Sequence, residues 1–286
     1  MSGTPLISVI IPTYNRAAFL QEAVASVWAQ TERDFELLIV DDGSTDETPQ
    51  LCTAWGARVR YLRQPRRGVS AARNHGVHAA AGRFIAFLDS DDLWAPNKLA
   101  RQRLWLEQHP GVLLCHTNEI WIRNGRRVNQ KKIHRKAGGW IYPLCLPRCV
   151  ISPSAVFLRR ELLEATGEFD EDLPLCEDYD LWLRVTAHHE VGFLDEALVI
   201  KRGGHADQLS RSEWGLDRYR VRALLKMLHQ GGLRAEWQQA TLAMLLQKCH
   251  ILVQGYTKHG RTLPAVYYAY LMETFGAAAA GEVLQR

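Results

Sequence analysis

ISVIIPTYNRAAFLQEAVASVWAQTERDFELLIVDDGSTDE, residues 7–47, contains an apolar run, an amphipathic stretch and a second apolar run, and each apolar run ends in polar residues. In ISVII (7–11) and FELLIV (35–40) nearly every position is apolar, as strands covered on both faces require. AFLQEAVASVWAQ (18–30) between them has helical spacing. The alternation continues through TPQLCTAWG (48–56), VRYL (59–62), SAARNHGVHAAA (70–81) and FIAFL (84–88), so the first 92 residues read βαβαβαβ. This predicts an α/β fold, a doubly wound and mostly parallel central sheet with flanking helices. Ligands of such sheets bind beyond the carboxyl ends of the strands. Here those ends read PTYNR (12–16), DDGSTDE (41–47) and DSDD (89–92).

Further along, 96–109 reads as a helix, 112–122 as a strand and 151–167 as strand plus helix. Residues 176–189 read as a helix and 191–202 as a strand. Residues 123–140 hold no core pattern and predict a long mobile loop. From about Trp214 the pattern is helical to the end. The expected organisation is one unit over 1–212, with halves of about 1–94 and 95–212, and a helical C-terminal extension over 213–286.

The 286 residues are 47% hydrophobic and 23% charged, which excludes a disordered or low-complexity chain. The net charge of +4 is too small to argue for nucleic acid, but its distribution is uneven. Residues 123–136 carry seven cations and no acid, and the acid-free stretch Arg58 to Arg73 holds six arginines, clusters that suit phosphate-bearing ligands. The six cysteines show no CxxC pair or zinc spacing and read as reduced thiols in the cytoplasm. The first residues lack the pattern of a signal peptide, and no stretch reaches the ~18 apolar residues of a membrane span.

Seven aspartates and glutamates gather at the second and fourth strand ends, and like charges on one rim repel unless a cation is present. Asp89 and Asp91, two residues apart, suit a hard divalent ion that bridges to diphosphate oxygens. Glu177, Asp178 and Asp180 fall at a predicted helix N-terminus, where a carboxylate is favoured as the anion. Asp180 also fits a simple i, i+4 pair with Arg184.

IPTYNR (11–16), VDDGSTDET (40–48), GVSAARNHG (68–76), FLDSDDLW (87–94), CEDYDLWLR (176–184) and HADQLS (205–210), in this order, resemble glycosyltransferase family 2, the inverting enzymes of GT-A fold. The resemblance spans roughly residues 6–210 and implies transfer of a sugar from a nucleotide diphosphate, with uridine the expected base. It implies nucleotide contacts from Pro12, Tyr14, Asn15, Arg16, Asp41, Asp42, Arg73, Ser90 and Asp91. Asp89, Asp91 and His205 would hold Mn²⁺ or Mg²⁺, although Gly203 and Gly204 depart from the usual spacing before the histidine. Asp178 would be the base that deprotonates the acceptor hydroxyl, with Glu177, Trp182 and Asp92 near the acceptor or sugar; Trp182 equally reads as part of a core stripe. The acceptor expected is a glycan or lipid-linked sugar. Peripheral contact with the inner membrane face and a homodimer are compatible with the sequence, and no nucleic acid is expected.

Three readings of the basic segment 126–136 stay open: a lid over the donor, a site for a phosphorylated acceptor at a membrane, where each cation contributes about 1 kcal/mol, or a solvated loop. Two rival functions are a sugar-nucleotide pyrophosphorylase and a non-catalytic nucleotide-sugar scaffold. The first normally opens on a glycine-rich loop, which PTYNRAAF lacks. The second has no need of both the E-D pair and the histidine.

Overall fold

The computed structural model describes residues 4–205 and 213–279; of the HADQLS run, only His205 lies within the described residues. The chain opens as β1 (Ile7–Thr13), α1 (Ala17–Trp28), β2 (Phe35–Asp41), α2 (Thr48–Trp55), β3 (Arg60–Arg63), α3 (Val69–Ala79) and β4 (Phe84–Phe87), the alternation read from the sequence. It continues as β5 (Leu93–Trp94), α4 (Lys98–Gln108), β6 (Leu114–Arg123), β7 (Arg126–Val128), α5 (Tyr142–Cys145), β8 (Val156–Arg159), α6 (Arg160–Thr166) and α7 (Glu177–His188). After β9 (Gly192–Gly203) come α8 (Asp217–Gln230), α9 (Ala235–Lys258) and α10 (Thr262–Ala279).

The strands form one sheet in the order β3-β2-β1-β4-β8-β6-β9-β5, with β7 added to β6. It is parallel across β3-β2-β1-β4, and β6 is parallel to β9. β8 enters antiparallel between β4 and β6, and β5 lies antiparallel on β9. Alternate side chains of each strand face opposite sides, so the sheet has two cores. Val9, Ile11, Leu37 and Ile39 pack with Leu20, Val24 and Val27 of α1 and Leu99 and Leu106 of α4. Ile10, Leu38, Val40 and Phe87 join the other core, which takes in Tyr179 and Trp182 of α7, Leu224 of α8 and Trp237 and Leu252 of α9. Each such apolar side chain contributes about 1.5–3 kcal/mol when fully buried. Gly76 is required where α3 crosses β1: a Cβ there would stand 2.4 Å from the Ile10 side chain.

The basic segment is more ordered than the predicted loop. Asn124 and Gly125 take positive φ (49° and 73°) and turn the chain into a hairpin, so that Arg126–Val128 pairs with β6. Asn-Gly is the favoured dipeptide for such a turn, and it was present in the sequence. Upstream, the β6–β9 register shifts around Asn118, a bulge that locally re-aims β6 just before the buried Glu119.

Candidate active site

The polar ends of β1, β2 and β4 lie on one rim, and the start of α7 reaches it from across the sheet. The link is Arg73 of α3, 3% exposed, whose guanidinium donates to Asp89 Oδ1 at 2.8 Å and to Glu177 Oε1 at 2.6 Å. Burial opposes its charge, but Asp89 and Glu177 more than offset this and keep it protonated. The acid turn after β4 and the E-D pair of α7 are therefore joined through one buried guanidinium. Arg73, expected at the nucleotide, is instead occupied by two carboxylates.

In the turn, Asp89 and Asp91 remain partly accessible and Asp92 does not. Asp92 accepts from Ser154 Oγ at 2.7 Å and from the Arg202 amide of β9 at 2.9 Å, which locks the turn onto the strands behind it. The expectation that Asp92 meets the acceptor gives way to this structural role, because its carboxylate is 1% exposed. Asp91 Oδ2 accepts from Arg16 Nη1 at 2.5 Å and lies 2.9 Å from His205 Nε2. His205 thus reaches the turn despite the Gly203–Gly204 spacing. Repulsion among the acids is relieved here by arginines from distant parts of the chain, a possibility that sequence reasoning, with only an ion in view, had missed.

Among the described residues, no three His, Cys, Asp or Glu side chains form a ready-made metal cage. Asp89, Asp91 and His205 offer two hard carboxylates and an imidazole around the turn. This donor set fits a Mg²⁺- or Mn²⁺-sized ion that completes its shell with substrate oxygens and water.

Across the cleft, Asp178 is half-buried at the first turn of α7, where Cys176 enters the helix with φ 62°. Its Oδ1 accepts from the Tyr179 amide at 2.7 Å, and its Oδ2 accepts from Cys149 Sγ at 3.2 Å. Burial, and then Asp178 itself, push the Cys149 thiol well up, so it stays a donor. Glu177 is 5% exposed and turned toward Arg73; burial and Asp178 push its carboxyl up to about 7 while Arg73 pulls the other way. It is a partner of Arg73 rather than an acceptor ligand. Trp182, also assigned to the acceptor, is 1% exposed and packs edge-on to Phe169, 6.3 Å between centroids, so it belongs to the core. Asp180 pairs with Arg184, as the i, i+4 reading expected, and also with Lys226 of α8.

Sequence reading missed Lys201 of β9 and the Glu119–Lys136 pair. Burial opposes the charge of Lys201, but Glu119, Asp92, Asp89 and Asp178 together hold it protonated. Glu119 accepts from Ser152 and lies 2.7 Å from Lys136; burial works against ionisation, and Lys136 and Lys201 bring its carboxyl down to about 2. For Lys201, a lysine directly after the apolar run ALVI within β9 was the available signal.

The remaining nucleotide candidates cluster at the β1 and β2 ends. Asp41, fully buried, accepts from Tyr61 Oη at 2.7 Å and from the Ser44 amide at 2.8 Å. Asp42 accepts from the Arg67 and Gly68 amides, both at 2.8 Å, and from Gln64, and so shapes the loop before α3. Asn15, φ 50°, ties the two loops together by accepting from the Thr45 amide at 2.7 Å. Tyr14 lies under the Arg66 guanidinium, 4.1 Å from its ring centroid. Pro12 and Ser90 are buried beneath this rim.

The model of the glycosyl transferase family 2 matches residues 8–166. The chain belongs to this family. Over 89% of its length and 95% of the relative's, it is 29% identical to UDP-Glc:alpha-D-GlcNAc-diphosphoundecaprenol beta-1,3-glucosyltransferase WfgD of Escherichia coli. It is 34% identical to an uncharacterized glycosyltransferase of Rickettsia conorii over 67% of this chain, and there it spans about a third (32%) of the relative's length. S. aureus TarS 1–349 in complex with UDP-GlcNAc superposes with TM-score 0.64 at 18% identity, covering 98% of this chain and 93% of that one. The mannosyltransferase PcManGT from Pyrobaculum calidifontis, with GDP-Man and Mn2+, does so with TM-score 0.61 at 20% identity, covering 99% and 88%. The fold is GT-A.

Proposed function

We propose that this protein is an inverting, metal-dependent glycosyltransferase that moves a sugar from a uridine diphosphate donor to a hydroxyl of a saccharide carried on a lipid diphosphate, in surface polysaccharide or glycoconjugate synthesis. Family membership and the donor and acceptor named in WfgD support this reading, as does the UDP-GlcNAc bound by TarS. The observation that carries it is Arg73 holding Asp89 and Glu177 at once, which brings the acid turn and Asp178 to one cleft.

In this reading, the loops of Tyr14, Asn15, Asp41 and Asp42 cradle the nucleoside. Asp89, Asp91 and His205 would hold Mn²⁺ or Mg²⁺, which when bound would supply charge neutralisation to the departing diphosphate. Asp178, fixed by the Tyr179 amide and the Cys149 thiol, accepts the acceptor hydroxyl's proton as its oxygen attacks the anomeric carbon on the face opposite the diphosphate. The new carbon–oxygen bond forms as the bond to the diphosphate breaks, so the configuration inverts. Lys201, held protonated by Glu119, Asp92, Asp89 and Asp178, balances part of their charge. No helix among the described residues is long and apolar enough to cross a membrane; this reading has the lipid-linked acceptor met at a membrane surface.

Asp178→Asn keeps the shape of the side chain and removes the base. Calorimetric UDP binding with Mn²⁺ stays at the wild-type value while transfer falls by about two to four orders of magnitude. Transfer at near wild-type rate would remove Asp178 from this role.

A further inference from the structure

A second cavity, of about 1020 Å³, opens between the β6–β7 hairpin, the segment that follows it and the chain around Arg148. Its walls carry Arg127, Lys131, Lys132, Arg135 and Arg148, and among the described residues none of these five is paired with an acid. The two acids in the lining are engaged: Glu119 with Lys136 and Ser152, and Asp195 with Asn118 at 2.8 Å. The cations therefore leave an unbalanced positive field. His134, just behind the wall, registers it: burial lowers its pKa, and Arg148, Arg123 and Lys131 lower it further.

The rim has a second character. Ile133 and Leu144, both lining the cavity, are 52% and 37% exposed. Large apolar side chains beside unpaired cations match a ligand with a phosphate head and a hydrocarbon tail. The cavity is also next to the cleft. Arg148 is in its wall, and the following residue, Cys149, holds Asp178 at 3.2 Å. Glu119 in its lining, Asp89 and Asp178 all act electrostatically on the buried Lys201.

We propose that this cavity binds the diphosphate of a polyprenyl-linked acceptor, with Arg127, Lys131 and Arg135 on the phosphates and Ile133 and Leu144 against the first isoprene units, so that the sugar beyond the diphosphate is presented to Asp178. The inference rests on the acceptor reading given above and deepens it by assigning that acceptor a place distinct from the donor's acid turn.

The test is titration of the full chain with farnesyl diphosphate below its micelle concentration, followed by isothermal titration calorimetry, with inorganic pyrophosphate as the tail-less control. The wild type saturates and binds farnesyl diphosphate at least tenfold more tightly than pyrophosphate. Arg127→Gln/Lys131→Gln/Arg135→Gln, all exposed positions, weakens farnesyl diphosphate at least tenfold and leaves UDP–Mn²⁺ binding unchanged. Leu144→Gln narrows the gap between the two ligands while leaving pyrophosphate where it was. The proposal is overturned by absence of saturable binding, by equal affinity for the two ligands, by indifference to the triple substitution, or by displacement of farnesyl diphosphate by UDP. Failure of the wild type to bind UDP at all would instead sink the glycosyltransferase reading, and the prenyl titration would remain interpretable.

Discussion

Arg73 shows how much of the site rests on a single side chain. Its guanidinium is 4% exposed and its partner Glu177 7%, so removing it strands a carboxylate away from water. Arg73→Met should therefore destabilise the fold by about 3–5 kcal/mol, read by urea denaturation. The deficit should also depend on pH. Glu177 titrates at about 7 in the folded chain against 4.5 when unfolded, so between those values the folded state holds more protons and stability falls as pH rises. Arg73 is what keeps that upper limit from moving higher. Without it the loss extends above neutrality, and the deficit at pH 8 should exceed that at pH 6; an equal deficit at both would show that Glu177 is not the group left stranded. The acids of the site were legible in the sequence as motifs. Their partners were not, because Arg73 and Glu177 are 104 positions apart and no local spacing encodes such a contact.

At the scale of elements, the alternation from β1 to β4 was readable because strands buried on both faces and amphipathic helices leave opposite patterns. Periodicity tells which way side chains face but not which strand lies alongside, so the antiparallel entry of β8 and the bulge in β6 could not be read from it. The β7 hairpin could have been, from Asn124-Gly125. The start of α4 holds an unexpected liability. Lys98, its first residue, is fully buried, with its ammonium 4.0 Å over the Trp94 ring and 3.3 Å from the Val156 carbonyl. A cation at a helix N-terminus also opposes the helix dipole. Burial lowers its pKa from 10.5 to about 7. Between those values the unfolded chain keeps a proton that the folded chain gives up, so raising the pH stabilises the fold. Lys98→Met should raise stability by about 4 kcal/mol near pH 6, an advantage that shrinks toward zero by pH 10. Thermal melts at the two pH values measure it, and a gain independent of pH would exclude the charge as its origin.

At the scale of the molecule, the helices after residue 213 share one continuous core with the sheet: Val221, Trp237, Leu245 and Leu271 belong to the same buried cluster as Ile10, Leu38 and Trp182. The sequence suggested an appended extension because the helical pattern begins where the motifs stop, and composition cannot reveal that its apolar face covers α7. Scanning calorimetry should show one transition, with calorimetric and van't Hoff enthalpies in a ratio close to unity. Two separated transitions would mean that the C-terminal helices form a unit of their own. At the acid turn after β4, the pairing of both accessible acids with cations has an effect that reaches beyond contact distance. Asp89 answers to Arg73, and Asp91 to Arg16 and His205. A polyanion drifting in from solution consequently meets a turn whose two accessible carboxylates are already offset by cations, and their long-range repulsion is reduced before it finds its berth.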